Sequence, residues 1–315
     1  MNRSLILDIA KGIGIILVVV GHCIKSYTIP GIFIYAFHMP LFFLISGVCF
    51  NGEKYQEFKP FLYKRMRQLI VPAVVFTAVI VLTSHFLLND DGPLHNLLWK
   101  GFPNPIWFLG VLFIVEIAYW LLYRLSKMKI AICLYIVLGF LIGAWTSSKG
   151  LCSPYSIFSS FIALAFYALG NLLRTIVLKL SMQKIRNCYL IVLSILSLLI
   201  ECILCVKTNH NIGMVSNEFI FSDLFLALLG ILAIFCISKF IETMGGRSFF
   251  VWLGQNTLVI MCSHMLMISL STEFIRLIIP NHLLYKTVES LFVWSMVVLL
   301  SIFVNNKCKW IIGKN

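Results

Sequence analysis

Long apolar stretches alternate with short polar ones along the whole chain. Ten of them come close to the ~20 residues that an α-helix needs to cross a bilayer. We place them at about 5–25, 30–50, 68–88, 106–125, 130–147, 155–176, 187–206, 219–240, 249–271 and 285–305. Several connecting loops are short, so we expect one helix bundle. The pattern therefore predicts an all-α, polytopic membrane protein with a single transmembrane domain over residues 1–315.

The composition supports a membrane protein and argues against a nucleic-acid-binding one. The chain is 60% hydrophobic and 12% charged, whereas a soluble protein has roughly 25% charged residues. Its net charge of +13 is spread over short loops between apolar stretches, so we expect membrane lipids rather than nucleic acid as partners. Cys202 and Cys205 have CxxC spacing inside an apolar stretch, which predicts packing and no metal site.

The lysine and arginine residues predict the orientation of the spans, because they concentrate in cytoplasmic loops. With the N-terminus in the cytoplasm, only six of the 25 lie on the other side, namely Lys25, Lys100, Lys149, Lys207, Arg276 and Lys286. A missed or additional span would disturb this alternation. The charges therefore favour ten spans with both termini in the cytoplasm.

The first apolar stretch carries an acid, a base and a histidine. Lys11 and His22 are eleven residues apart. At ~3.6 residues per turn they share one helix face, about 16 Å apart along the axis. Asp8 precedes Lys11 by one turn and can pair with it. Charges in apolar helices are costly and usually functional. Lys11 either snorkels to the inner surface, with His22 at the far interface, or begins a polar track that ends in a general base.

Two further polar groups have both a structural and a functional interpretation. His38 lies two residues before Pro40, which we expect to break the helix register, so His38 marks a kink or binds substrate. The basic run at 64–67 can bind anionic lipid headgroups. Alternatively, the guanidinium groups of Arg65 and Arg67 can clamp a phosphate.

Several more polar residues lie at predicted membrane depth. Each alone has an ordinary explanation, such as an interfacial tryptophan or an amide that bridges two helices. Together with the first-stretch residues and His38 they indicate a hydrated polar cavity inside the bundle. They are Trp107, Glu116, Glu201, Asp223, Asn256, His264 and Glu289. The small residues Gly12, Gly14 and Gly47 are expected to permit close helix approach.

These landmarks resemble the membrane-bound acyltransferase-3 family over essentially the whole chain. The resemblance rests first on Asp8…Lys11…Gly21-His22 and on the segment at 37–47, which reads FHMPLFFLISG. Supporting segments are Arg65…Pro72, Trp107-Phe108-Leu109 and Gly254-Gln255-Asn256-Thr257-Leu258…His264. The sequence HMPLFF is similar to the sugar O-acetylase branch, of the fucose 4-O-acetylase type.

One family feature is present and another departs from its usual form. Family members are similar in having Arg or Lys ten intervening residues before His, and Lys11 and His22 satisfy this spacing. The cytoplasmic Arg-x-x-Arg pattern is altered, because one residue separates Arg65 from Arg67 and Gln68 stands where a second Arg is expected. The residue-level assignment of a phosphate clamp therefore depends on the structure.

The resemblance implies an O-acetyltransferase of the bacterial cytoplasmic (inner) membrane. It implies ten core helices and acetyl-CoA, or another acyl-CoA, as a cytoplasmic donor substrate, with no permanently bound cofactor. The acceptor would be a saccharide hydroxyl on a surface polysaccharide or lipid-linked glycan. We expect His22, Lys11 and Asp8 in catalysis. Substrate contacts are expected from Arg65, Arg67, His38, Trp107, Asn256, His264 and Glu116.

In this mechanism burial keeps His22 neutral, so that it can take a proton from the acceptor hydroxyl. An acyl-histidine intermediate is also chemically possible. The oxyanion stabiliser stays open among Asn256, Trp107 and Ser46.

Two alternatives remain. A transporter or flippase of a lipid-linked sugar would use the same cavity without chemistry, although the sequence lacks the two corresponding halves with broken helices that many transporters have. Acyl transfer to a peptide or small molecule is the other.

Overall fold

A computed structural model describes residues 4–24, 28–99, 101–149, 156–208, 221–278 and 282–313. All regular elements within these ranges are helical. They are α1 (Leu5–Cys23), α2 (Ile29–Cys49), α3 (Phe58–Arg65), α4 (Val71–Leu88), α5 (Gly92–Trp99), α6 (Trp107–Leu125), α7 (Lys129–Ser148), α8 (Ile157–Met182), α9 (Asn187–Thr208), α10 (Phe221–Glu242), α11 (Arg247–Gln255), α12 (Thr257–Ile278) and α13 (His282–Lys307). A π-helical turn at Met66–Ile70 joins α3 to α4, and a 3-10 turn at Lys309–Ile312 follows α13.

The prediction of an all-α polytopic membrane protein is confirmed. The described residues contain nine helical segments long and apolar enough to cross a membrane, and α11 with α12 forms a tenth, bent pair. The third span begins about ten residues earlier than expected, at Phe58, because the basic run is helical rather than a loop. Three predicted ends, at residues 25, 155 and 219, lie outside the described residues.

The described residues fall into two compact units. The first unit lies within Met1–Lys54, Val115–Cys152 and Ile157–Thr257, and the second within Tyr55–Ile114, Ser153–Ser156 and Leu258–Asn315. The division passes through α6 and falls at the start of α12. The single domain expected over the whole chain stays a prediction.

Glycines bring α1 close to α11 in the first unit. A Cβ atom on Gly12 would overlap the backbone carbonyl of Phe250, and one on Gly254 would overlap the carbonyl of Asp8. Without side chains at both positions the two backbones touch, as small residues permit in membrane helices. The contact places the residues after Gly254 beside the first turn of α1.

Glycines also bring α2 close to α8. A Cβ on Gly47 would overlap the carbonyl of Tyr167, and one on Gly170 would overlap that of Leu44. The close approach expected at Gly47 is therefore confirmed. Helix α2 also contacts α1, α9 and α10, so it lies at the centre of the first unit.

The break in helix register expected at Pro40 is wrong. Helix α2 runs without interruption from Ile29 to Cys49 with Pro40 inside it. The proline removes one backbone hydrogen-bond donor. Helix α2 is nevertheless buried over most of its length, and its packing against four neighbouring helices stabilises the helical conformation on both sides of Pro40. His38 therefore lies on a continuous helix face.

The loop after α2 is fixed against the end of α6. A Cβ on Gly52 would overlap the ring of Tyr123, so only glycine fits there. The ammonium of Lys127 donates to Glu53 at 2.8 Å and thereby holds the pKa of that exposed carboxyl below its usual value. This loop is consequently tied down at its centre, just beyond the C-terminus of α2.

Candidate active site

The predicted pair in the first turns of α1 is confirmed. Lys11 Nζ lies 3.2 Å from Asp8 Oδ1, at one-turn spacing. Asp8 is 2% exposed, whereas a quarter of the Lys11 side chain is accessible. An acid in the first turn also interacts favourably with the helix dipole. The pair therefore holds a carboxylate inside the protein while its ammonium partner stays partly accessible.

Four charged side chains on α1, α6 and α8 of the first unit act electrostatically on the end of α2. The Cys49 thiol at the end of α2 lies within electrostatic range of Lys11, Asp8, Glu116 and Arg174. We call these four charged residues the charged cluster. Glu116 was expected to bind substrate; it is 4% exposed and lies in the same unit as the Asp8–Lys11 pair.

Side chains of α6 and α8 cap the C-terminus of α2. Arg174 Nη1 donates to the carbonyl of Phe50 at 2.7 Å, and Asn171 Nδ2 donates to the same carbonyl at 3.2 Å. The hydroxyl of Tyr119 donates to Asn171 Oδ1 at 2.8 Å and fixes that amide. Helix ends leave carbonyls without intrahelical partners, and a cation there also meets the negative end of the dipole. These contacts hold Arg174, one member of the charged cluster, at the end of α2.

Asn256 lies at the bend between α11 and α12. It is 7% exposed, and its Nδ2 donates to the carbonyl of Trp252 at 2.7 Å. Two residues earlier, Gly254 touches the backbone of Asp8. The structure therefore brings the predicted motif of the ninth span to the predicted motif of the first.

The other end of α1 carries a second group, which we call the His–Tyr–His cluster: His22, Tyr35 and His38. The hydroxyl of Tyr35 lies 3.0 Å from His22 Nδ1, and the two rings meet edge to face. The ring of Tyr35 also packs edge to face on His38, with centroids 4.9 Å apart. His38 is 3% exposed and its Nδ1 bonds the carbonyl of Ile34 at 2.8 Å. Tyr35 thus joins both predicted histidines.

The tautomer of His22 decides what the cluster can do. If Nδ1–H donates to Tyr35 Oη, the Nε2 lone pair is available to accept a proton; if the tyrosine donates instead, Nε2 carries the hydrogen. Only the first arrangement makes Nε2 a base. Sequence reasoning missed Tyr35, because its 13-residue separation from His22 shows no pattern within one helix.

The basic run is ordered by aromatic side chains in the second unit. The guanidinium of Arg65 lies 5.3 Å from the ring centroids of both Tyr55 and Phe61, and its Nη1 donates to Gln68 Oε1 at 3.1 Å. Gln68, which departs from the expected Arg, is thus a partner of Arg65. The guanidinium of Arg67 lies 6.0 Å from the ring of Tyr63. The two arginines are held by different rings.

Trp107 lines a small cavity in the second unit. The cavity has a volume of about 150 Å³, and Ile70, the last residue of the π-helical turn, also lines it together with Phe102. Pockets that take a whole small molecule measure ~300–1,000 Å³, so this one has room for part of a ligand. The turn that carries Arg67 therefore ends at the cavity of Trp107.

His264 lies on α12 in the second unit. It is fully buried, and its Nδ1 bonds the carbonyl of Ile260 at 3.1 Å. The predicted site residues thus divide between the units. Those in the first unit are Asp8, Lys11, His22, His38, Glu116 and Asn256; those in the second are Arg65, Arg67, Trp107 and His264. The polar cavity expected to join them stays a prediction.

The sequence also matches a known protein family. A family model described as an acyltransferase domain, acyltransferase-3, matches residues 5–305. The chain belongs to this acyltransferase family. The Asp8–Lys11 pair and the His–Tyr–His cluster both lie on spans inside the matched region.

One curated relative shares a shorter stretch. The chain is 36% identical to the nodulation protein NolL of Mesorhizobium japonicum over 90 residues. The match covers 25% of this chain and 24% of the relative, about a quarter of each. No solved structure matches the chain. The sugar O-acetylase branch inferred from HMPLFF stays a prediction.

Proposed function

We propose that the protein transfers an acetyl group, or a related acyl group, from cytoplasmic acyl-CoA to a hydroxyl of a saccharide. The observation that carries this proposal is the family match over residues 5–305. The charged cluster and the His–Tyr–His cluster add ionisable groups inside apolar helices, where they are costly and usually functional.

The donor assignment is supported by the basic run. Acyl-CoA is strongly anionic, and Arg65 and Arg67 supply guanidinium groups that match phosphate geometry. The bond from Arg65 to Gln68 and the flanking rings restrict its rotamers, so less entropy is lost when it binds an anion. The adjoining cavity of Trp107 has room for a small part of such a ligand.

The chemical step is assigned to His22. Nε2 takes the proton of the acceptor hydroxyl as its oxygen attacks the thioester carbonyl; the carbon–sulfur bond breaks, and the proton passes to the departing thiolate of CoA. When the His22 Nδ1–H donates to Tyr35 Oη, Nε2 carries the lone pair that this step needs. Lys11, partly accessible beside Asp8, would interact with the anionic donor.

A saccharide acceptor is supported by the resemblance of HMPLFF to the sugar O-acetylases. The acceptor would be a surface polysaccharide or its lipid-linked precursor, and the protein would reside in the bacterial inner membrane with both termini in the cytoplasm. The position of the positive residues supports that orientation.

Mass spectrometry of the cell-surface glycan, with and without the gene, tests the proposal. We expect the deletion to lose one acetyl mass per repeat unit, and the gene to restore it. A His22→Ala copy should fail to restore it while reaching the same membrane level. Loss of the whole glycan, with the acetyl content of the remainder unchanged, would instead favour a transporter.

A further inference from the structure

The second unit contains a larger cavity that the predicted site residues do not line. Its volume is about 490 Å³, within the ~300–1,000 Å³ range of small-molecule sites. The end of α4, the start of α5, the segment before α6 and the middle of α12 line it. Its polar lining residues are Ser84, Asp90, Asn104, Ser269 and Thr272. Its walls therefore offer hydroxyl, amide and carboxylate groups in one place.

One of these groups is fixed by a buried network. Thr272 Oγ1 lies 2.6 Å from Glu289 Oε1, and the hydroxyl of Tyr285 donates to the same oxygen at 2.8 Å. Lys286 Nζ donates to Glu289 Oε2 at 2.7 Å, and Glu289 is fully buried. Thr272 Oγ1 also lies 2.9 Å from the carbonyl of Ile268, and its single proton goes to one of these two acceptors. In either case the oxygen keeps a lone pair that can accept a hydrogen bond in the cavity.

The lining matches a sugar ring better than an anion or an apolar molecule. A carboxylate at Asp90, whose Oδ1 also accepts from the Gly92 N–H at 2.8 Å, and an amide at Asn104 can bond sugar hydroxyls. The described lining residues include no cation to hold a phosphate. Apolar walls at Pro93, Pro103 and Leu266 suit the carbon–hydrogen faces of a pyranose. Such a mixture of apolar surface and a few directed polar groups is usual for small-ligand sites.

We infer that this cavity binds the acceptor saccharide. That the bound sugar is the acceptor of the acyl group rests on the proposed function. That the cavity binds a sugar rests on its lining residues alone. His264, which was predicted to contact substrate, directly precedes the lining residue Met265 on α12 but does not itself line the cavity. The cavity thus lies on the second unit, in the neighbourhood of one predicted substrate residue.

Two variants test the cavity, each with a matched control. Ser269→Trp fills the cavity from α12, and Ser295→Trp places the same bulk on an exposed position of α13. Asp90→Asn removes a lining carboxylate, whereas Asp91→Asn changes its neighbour, which does not line the cavity and pairs with His85. All four proteins should be monodisperse in nanodiscs, and Asp90→Asn keeps the volume of the site.

The probe is an oligosaccharide mixture from base-treated surface glycan of a strain lacking the gene. Saturation-transfer NMR measures its binding to the protein, and labelled acetyl-CoA measures transfer. We expect Ser269→Trp to abolish binding and Asp90→Asn to weaken it roughly tenfold, as for a lost hydrogen bond to a charged group. Both controls should bind like the wild type.

Each other outcome is decisive. No binding to the wild type, or unchanged binding in Ser269→Trp, would overturn the inference. Equal losses in Asp90→Asn and Asp91→Asn would assign the effect to net charge and overturn it as well. Binding that follows the expected order without any acetyl transfer would keep the sugar site and reject the proposed reaction.

Discussion

His22 is oriented by a tyrosine hydroxyl, whereas the catalytic histidine of serine proteases is oriented by an aspartate. A neutral hydroxyl orients the ring, accepts either tautomer because it can donate or accept, and adds no negative charge beside an imidazolium. A protonated His22 would therefore be poorly stabilised. This favours a mechanism in which the proton passes quickly to the leaving thiolate.

Replacing Tyr35 with Phe removes the partner of His22 Nδ1 while keeping the ring that packs on His38. We expect kcat to fall about tenfold with the KM values unchanged, a smaller loss than the ~10²–10⁴-fold expected for His22→Ala. Steady-state kinetics in nanodiscs measure both. Tyr189→Phe, at an exposed position on α9, is the control. A fully active Tyr35→Phe protein would remove the positioning role.

Variants of Lys11 show whether this residue only anchors α1 at the membrane surface or contacts the acyl-CoA donor. Lys11→Arg should keep part of the activity and Lys11→Gln should lose most of it, because glutamine keeps hydrogen bonding but not charge. Loss of the cation also removes the ion pair of the buried Asp8, which is costly, so Lys11→Gln should lower the melting temperature. Adding Asp8→Asn should restore stability but not activity. A stable, fully active Lys11→Gln protein would make the charge an anchor only.

The sequence predicted the contacts that lie within one helix and missed those that need two. Asp8 and Lys11 are one turn apart, so helical geometry alone pairs them. Tyr35 and Asn171 act across helices, and no periodicity shows which faces meet. Arg174 was counted only for orientation, although its position inside the predicted span 155–176 was a signal that it has a buried partner.

Helix α3, the π-helical turn and α4 form one continuous element whose start carries the basic run. Because these cations are on a helix rather than a loop, the direction of each is set by its position. Arg65 and Arg67 therefore reach different aromatic rings. Their fixed directions suit recognition of a ligand with several phosphates better than nonspecific contact with headgroups.

A double variant at these positions tests the donor site. Arg65→Gln with Arg67→Gln should raise the KM for acetyl-CoA at least tenfold and leave the KM for the acceptor unchanged. Lys59→Gln, at an exposed position on α3, removes a charge from the same helix and is the control. An effect on protein yield alone, or on the acceptor KM alone, would assign the run to lipid anchoring.

The contact between α1 and α11 allows no side chain at Gly254. Gly254→Leu would force the helices apart at Asp8, and overpacking of this kind costs roughly 1–3 kcal/mol. We expect a lower melting temperature and reduced transfer, because Asn256 and Asp8 move apart. Gly245→Leu is the control, since a Cβ there has no neighbour within 4 Å. Equal melting temperatures in the two variants would show that α11 adjusts freely.

At the scale of the whole molecule, hydropathy predicted the number and place of the spans well. A spanning segment must satisfy all its backbone groups internally, so its length and apolarity are visible in the sequence. The partners of each span are not visible in this way. Nothing in the apolar pattern shows that α1 meets α11 or that the chain has two compact units, because those depend on which faces pack.

The glycine contact between α1 and α11 also has a consequence for biosynthesis. Helix α11 begins at Arg247, more than 200 residues after α1 ends at Cys23. At ~5–20 residues per second, the ribosome needs roughly 10 s or more to make its partner. During that time α1 must stay in the membrane without α11. The Asp8–Lys11 pair, being internal to α1, can neutralise its own charges before α11 arrives.

Glycosylation mapping of α1 as an isolated segment tests this. If the two charges acted independently, Lys11→Gln would improve insertion, since each charge at the helix centre costs about 2.5–3.5 kcal/mol. We expect no improvement, because the change leaves the Asp8 carboxylate unneutralised; the double change with Asp8→Asn should insert best. Better insertion of Lys11→Gln alone would show that the pair forms only after α1 has met its partners. The first helix would then depend on the last ones for its stability in the lipid.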